Sequence, residues 1–187
     1  GGGTEIVVET GRPLWKMGHY HISNKLSINF GEIIDEGNVR ISLNGEEVLS
    51  HRPVFMDGTF SEFTLVEIEG VPIRVEIGIL KPHWDSSPSV RRANRLHRGI
   101  TTLWRGRVVE RRTLDAALGP PSDLTHQRIC CRIHLDCLNL ASSRGSFVWD
   151  SITPDKLIKM LRGHPIFRDC VETARKLRRF PKGIEEE

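Results

Sequence analysis

Three turn dipeptides, each set between two β-prone runs, constrain the fold of this 187-residue chain more than any other feature. They are Asn44-Gly45, Glu69-Gly70 and Arg105-Gly106. Asn-Gly is a strong signal for a two-residue hairpin, because both of its residues accept positive φ angles. Around the second dipeptide apolar and polar residues alternate, as they do in strands with one face on a core and the other in water. The sequence therefore predicts three β-hairpins.

Strand and helix patterns flank these hairpins. Residues 4–9 predict a short strand, and apolar residues recur at helical spacing from His19 to Ile34. A further strand is expected within residues 126–138. Residues 154–180 have a helical pattern that Gly163-His164-Pro165 interrupts. The order of strand, helix, three hairpins, strand and helices predicts an α+β fold.

Positive charge is concentrated in one stretch, although the net charge of +3 is too small to indicate a polyanionic partner by itself. Residues 81–97 have the composition of a loop, and residues 91–112 contain one acidic residue, Glu110. Two interpretations stay open: a solvated loop and hairpin, or a surface that binds DNA or RNA with Trp84 and Trp104 as stacking surfaces. The arginines of the stretch are Arg91, Arg92, Arg95, Arg98, Arg105, Arg107, Arg111 and Arg112.

Metal-binding and catalytic motifs are sparse. The residues that could form a zinc site are Cys130, Cys131, His134 and Cys137. All four lie on one strand pattern, and a rise of about 3.3 Å per residue keeps Cys131 and Cys137 too far apart to share an ion. We therefore interpret the cysteines as buried strand residues and expect no metal site. No phosphate-binding P-loop, zinc-protease helix or nucleophile elbow occurs.

The hydropathy and the first residues of the chain bear on its cellular location and on whether it is part of a longer protein. No apolar run reaches 18 residues and no signal-peptide pattern occurs, so we expect a cytoplasmic protein with reduced cysteines and no membrane insertion. The chain begins without methionine and enters a strand-like run at once, which indicates a piece of a larger protein.

Four segments, taken in order, resemble the second half of a GHKL-superfamily ATPase, the group that includes gyrase, MutL, HtpG chaperones, histidine kinases and MORC proteins. The first is GGGTEIVVE, a Gly-Thr motif before a strand, and the second is LSINFGEIIDEGNVRISLNGEEV, a helix followed by a hairpin. The third is the hairpin RGITTLWRGRVVE, and the fourth is the closing strand and loop IHLDCLNLASSRGSFVWD. Together they cover most of the chain.

The resemblance implies a fold and a division into domains. The fold would be a two-layer sandwich of a mixed, mainly antiparallel sheet with helices on one face, in a ribosomal S5-type topology. Residues 1–15 would be the last strand and connector of a truncated nucleotide-binding domain. Residues 16–152 would form the transducer domain, and residues 153–187 would be C-terminal helices with a charged tail.

The resemblance also implies a role for Arg144. In this family a basic residue of the closing loop reaches the γ-phosphate of ATP that a neighbouring domain holds with Mg²⁺, and the transducer relays that state to partner domains or a dimer partner. A guanidinium suits such a role, because it is always charged and forks onto phosphate oxygens. Thr4 would lie near the adenine. The implied partners are the missing N-terminal ATPase domain and a second copy of the chain.

The resemblance predicts that this chain alone neither hydrolyses nor tightly binds ATP, and that it carries no cofactor by itself. The family's general-base glutamate, magnesium-binding asparagine and glycine-rich lid have no counterpart in the sequence. A phosphate-release assay on the purified chain with ATP and Mg²⁺ checks this. Magnesium-dependent turnover would contradict the prediction.

Overall fold

A computed structural model describes residues 16–37, 39–82, 85–120 and 123–177. The predicted strand 4–9, with Thr4, lies outside these residues, as does Trp84. The helical spacing between His19 and Ile34 is confirmed by α1 (Lys16–Asn29) and α2 (Gly31–Asp35), which meet at Phe30. A small hairpin follows, formed by β1 (Ser42–Leu43) and β2 (Glu46–Glu47).

A five-stranded sheet in the order β3-β4-β7-β5-β6 forms the centre of the fold. Its strands are β3 (Ser61–Ile68), β4 (Val71–Ile79), β5 (Gly99–Trp104), β6 (Arg107–Arg111) and β7 (Ile129–His134). β5 and β7 run parallel, and the other three pairings are antiparallel. The predicted α+β class, with a mixed and mainly antiparallel sheet, is therefore confirmed. The S5-type topology stays a prediction.

All three predicted hairpins form at the predicted dipeptides. Both residues of each dipeptide have φ between 49° and 81°, the left-handed pair that a two-residue turn requires between twisted strands. Glycine supplies the second residue each time at no steric cost. Asn44 tolerates the first position well, whereas Glu69 and Arg105 are held there by the strands on either side.

The segment 81–97 contains a helix, so the prediction of a loop was wrong. The helix α3 (Pro88–Leu96) begins at Ser87, whose Oγ accepts a hydrogen bond from a backbone amide of the first turn. Serine followed by proline is a helix-start signal at this position, not a chain breaker. The buried side chain of Asn94 bonds both backbone polar groups of Val54, which fastens α3 to the segment before β3.

The C-terminal helices α5 (Pro154–Gly163) and α6 (Pro165–Lys176) complete the two-layer arrangement. The predicted helix break is confirmed at His164, which ends one helix and begins the next. Apolar residues of α5 and α6 share one core with β4 and β7. They are Leu157, Leu161, Phe167, Val171 and Ala174.

Shorter elements complete the described chain. They are a 3-10 turn (Asp115–Leu118), α4 (Thr125–Arg128), β8 (Asn139–Leu140) and β9 (Phe147–Val148). On the face of the sheet opposite α5 and α6, Glu32 of the five-residue α2 pairs with Arg132 of β7. None of the helices in the described ranges combines the length and apolar character needed to cross a bilayer.

The shared core predicts that α6 unfolds together with the sheet. Phe167 is 1% exposed, so Phe167→Ala is expected to lower the free energy of unfolding by about 3–5 kcal/mol. The neighbouring Ile166 is 37% exposed, and Ile166→Ala should cost less than about 1 kcal/mol. Urea unfolding followed by circular dichroism measures both. Equal, small effects would show that α6 is not part of the core.

Candidate functional site

The loop between β8 and β9 places Arg144 at its tip. The two strands pair antiparallel, and the amide of Ala141 donates to the carbonyl oxygen of Ser146 at 2.9 Å. The amide of Arg144 donates back to the carbonyl oxygen of Ala141 at 2.7 Å. Arg144 has a φ of 54°, a left-handed conformation that is uncommon for residues other than glycine, asparagine and aspartate.

Strand β6 holds this loop at two points. Nη2 of Arg107 donates to the carbonyl oxygen of Arg144 at 3.2 Å, and the amide of Phe147 donates to Oε1 of Glu110 at 3.0 Å. The guanidinium of Arg107 also lies 5.9 Å from the ring centroid of Phe30, at the junction of α1 and α2. The backbone of the loop is therefore fixed from outside, by side chains that the sequence did not connect with it.

The side chain of Arg144 is exposed. Within the described residues, no hydrogen bond or ion pair reaches its guanidinium. The adjacent Ser143 and Gly145 are exposed as well, so they offer it no apolar packing. Because the backbone of the loop is held and the guanidinium of Arg144 has no ion-pair partner among the described residues, this side chain can bind an anion of another domain or molecule.

The eight arginines of residues 91–112 do not form one surface. Arg105 and Arg107 lie at the turn of the β5–β6 hairpin, near the Arg144 loop. The other six lie on α3, just after it, or at the far end of β6, which is roughly 13–17 Å from Arg107 along the strand. Trp104 packs against the core, and the guanidinium carbon of Arg105 lies over its ring, 4.6 Å from the ring centroid.

The arginines at the α3 end are close enough to influence one another. Burial and the charges of Arg95 and Arg112 lower the pKa of Arg98. Burial and the charge of Arg112 lower the pKa of Arg111, whose Nη2 donates to the carbonyl oxygen of Leu96 at the end of α3. Arg111 therefore joins β6 to α3 and brings the arginines of both elements together.

A cluster of charged side chains between α2 and the sheet was not predicted. Nη2 of Arg132 lies 3.0 Å from Oε1 of Glu32, and its Nη1 lies 3.2 Å from Oε2 of Glu76. Nε2 of His134 lies 3.0 Å from Oε1 of Glu76. Burial alone would raise the pKa of Glu76, but the hydrogen bond with His134 and the charge of Arg132 bring it below its ordinary value. The cluster therefore favours ionised Glu76.

Among the described residues, Glu32, Glu76 and His134 are the one group whose ligand atoms, all within 4.8 Å of one another, could hold a metal ion. Arg132 already bonds both carboxylates. Nη2 of Arg74 is 3.2 and 3.3 Å from the two ring nitrogens of His134, which places it over the ring face. Glu62 also pairs with Arg74, so two guanidiniums face three carboxylates, and a divalent cation would turn this into a partly buried excess of positive charge. We interpret the cluster as an ion-pair network.

The predicted burial of the strand cysteines is confirmed for Cys130 and Cys131, whereas Cys137 lies beyond the end of β7 and is half-buried. Burial raises the pKa of the Cys130 thiol to about 12, and it raises the pKa of the Cys131 thiol as well. Both strand thiols are therefore protonated at neutral pH. A metal ion would require thiolates instead.

A cavity of about 340 Å³ opens beside the ion-pair cluster, between α2, residues 50–60 and the sheet. Its polar lining includes Glu32, Asp35, Arg52 and His97. Arg52 pairs with Asp35, so most of these charges are satisfied internally. Oε2 of Glu32 is buried and has no hydrogen-bond partner within the described chain.

No protein-family model matches this chain, and no curated protein matches it either.

The largely buried side chain of His97 predicts a loss of stability in mild acid. Burial, and to a smaller extent the charges of Arg132 and Arg111, lower its pKa to about 4, against the carbonyl contact of His51. The unfolded chain protonates this group near pH 6.5, so stability is complete above that pH and falls as the pH drops from 6.5 towards 4. The loss reaches at most about 3 kcal/mol.

Urea unfolding of wild type and His97→Gln at pH 7, 6 and 5 tests this pH dependence. The variant should lose most of the pH dependence in this range. The exposed His21 supplies a control, His21→Gln, which should keep it. Equal pH dependence in the wild type and His97→Gln would disprove the assignment.

Proposed function

We propose that this chain is a transducer-type domain that receives the state of ATP bound in a neighbouring nucleotide-binding domain through Arg144. The observation that carries the proposal is the geometry of the loop. Its backbone is fixed by Arg107 and by neighbouring hydrogen bonds, while the guanidinium at the tip is exposed. The local structure of three of the resembling segments supports the same proposal, with helix and hairpin, hairpin, and closing strand with loop each found in order.

A fixed backbone makes Arg144 suited to phosphate binding. Ordering a flexible loop on binding costs conformational entropy, and a loop that is already held avoids most of that cost. The guanidinium can form two parallel hydrogen bonds with phosphate oxygens. A cation placed at a transferring phosphoryl group can be worth roughly 10³–10⁵ in rate. In this proposal the neighbouring domain holds ATP and Mg²⁺, and Arg144 completes its site.

The contacts of Arg107 suggest how the nucleotide state is transmitted from the Arg144 loop to the rest of the domain. Its guanidinium contacts the carbonyl oxygen of Arg144 and the ring of Phe30, so it joins the loop to the start of α2. Glu32 in α2 pairs with Arg132 of the central strand. A shift of the Arg144 loop on phosphate binding would therefore act on α1, α2 and the sheet together. A cytoplasmic location and a second copy of the chain as dimer partner belong to the same proposal.

The test uses the protein together with its nucleotide-binding domain and compares ATP turnover among variants. Because Arg144 is left-handed, Arg144→Asn removes the charge without adding backbone strain. It should lower kcat by roughly 10³ or more, and Arg144→Lys should restore part of the rate. Arg105→Asn, at the neighbouring left-handed turn, removes one charge nearby and should leave kcat within about twofold.

Unchanged turnover in Arg144→Asn would end the proposed role. An equal loss in Arg105→Asn would show that the effect comes from the general field of positive charge, and would also count against it. The midpoint of thermal unfolding, measured for each variant, separates loss of function from loss of fold.

A further inference from the structure

The ends of α3 and β6 hold arginines that the fold forces together. Arg95 lies in the last turn of α3, Arg98 follows that helix, and Arg112 follows β6. We call these three residues the arginine ridge. Arg98 comes two residues after the last residue of α3, and Arg95 and Arg112 are both close enough to Arg98 to repel its charge. Arg111 is the structural tie between the two elements.

No carboxylate in the described part of the chain forms an ion pair with the arginine ridge. Arg52, Arg74 and Arg132, by contrast, each lie within 4.0 Å of a carboxylate. Nε of Arg98 is buried without a hydrogen-bond partner among the described residues. The fold thus gathers positive charge and excludes water from part of it, with Asp115 as a nearby carboxylate that acts on Arg111 but forms no ion pair with the ridge. An anion bound by the three guanidiniums would relieve the repulsion among them.

Arg112 adds backbone strain at the same place. Its φ is 67°, a left-handed conformation that costs a residue with a Cβ more than it costs glycine. Such strain at a residue whose side chain joins a charged surface is typical of binding sites. The turn therefore holds a charged side chain where a glycine would be more stable.

An exposed aromatic ring lies beside the arginine ridge. Tyr20 of α1 is 46% exposed, and the guanidinium of Arg92 lies 4.8 Å from its ring centroid. Arg92 precedes Arg95 by three residues on α3, so the ring and the ridge belong to adjacent surface. Arg92 covers one face of the ring. An unpaired base can stack on an exposed ring, because every base presents a π-face.

From this arrangement we infer that the arginine ridge and Tyr20 bind a single-stranded nucleic acid, with phosphates on the guanidiniums and a base on the ring. An acidic peptide would satisfy the charges but would make no use of the ring, and a duplex keeps its bases stacked inside. The site lies at the opposite end of the β5–β6 hairpin from Arg144 and does not depend on the proposed transducer role. The sequence left open whether this chain binds DNA or RNA, and the inference assigns such binding to particular residues and to a single strand.

The test is fluorescence anisotropy of the purified chain with a labelled DNA strand of about 15 nucleotides and mixed sequence, between about 50 and 200 mM salt. Three phosphate contacts predict that the logarithm of the association constant falls with the logarithm of salt at a slope of about −2. Arg95→Ala/Arg112→Gly should reduce that slope to about −0.7. Glycine at 112 also relieves the left-handed backbone, so a folding defect at that position is not expected.

Two further variants separate the effect of the arginine ridge from that of general positive charge and from that of stacking on Tyr20. Lys156→Ala/Arg168→Ala removes two exposed charges from α5 and α6, which cover the other face of the sheet, and should keep the slope of about −2. Tyr20→Leu keeps apolar bulk and should weaken binding by roughly 5- to 100-fold without changing the slope.

The contradicting outcomes are distinct. No salt-sensitive binding, or the same loss in the α5–α6 control as in the ridge variant, would overturn the site. Equal affinity for a duplex of the same length, or for polyglutamate of matched charge, would overturn the assignment to a single strand. Loss of ATP turnover in an Arg144 variant bears on neither result, so the two proposals fail separately.

Discussion

The central strand β7 is the constraint on which the rest of the structure depends. It pairs with β4 on one side and with β5 on the other, and its two faces are chemically opposite. Cys131 and Ile133 face the apolar core under α5 and α6, while Arg132 and His134 face the ion pairs with Glu76 and α2. A slip of one residue would turn Arg132 into the core, so this alternation fixes the register of the sheet.

The position of Arg144 follows from the same strand. Where β7 ends, the amide of Leu135 donates to the carbonyl oxygen of Leu103 at 2.8 Å, and the amide of Arg105 donates to Oδ1 of Asp136 at 2.5 Å. The loop is then held by Arg107. The chain that leaves β7 is thus fastened along the β5–β6 hairpin as far as the loop tip. The sheet, rather than the loop's own small residues, determines where the arginine stands.

Local signals explain which features could be predicted. The three hairpins follow from a glycine at the second turn position between two β-prone runs, and the helix break follows from a proline, because each signal lies within a short stretch of sequence. α3 was missed because serine and proline start helices as well as interrupt them. The ion-pair cluster was missed because it requires register: Glu76 and His134 are 58 positions apart in the sequence. Within the sequence, the ion-pair cluster was indicated only by polar residues at alternating positions of the otherwise apolar strands β4 and β7. The proposed role of Arg144 rests on the resemblance and on the loop geometry, and its partner would be a domain outside this chain.

The most direct measurement is a crystal structure of this chain together with the nucleotide-binding domain that the proposal requires and a non-hydrolysable ATP analogue. We expect the guanidinium of Arg144 to lie about 3 Å from γ-phosphate oxygens, with the contact between Arg107 and the loop carbonyl retained. An Arg144 side chain that faces solvent while the γ-phosphate is bound by other residues would contradict the central claim.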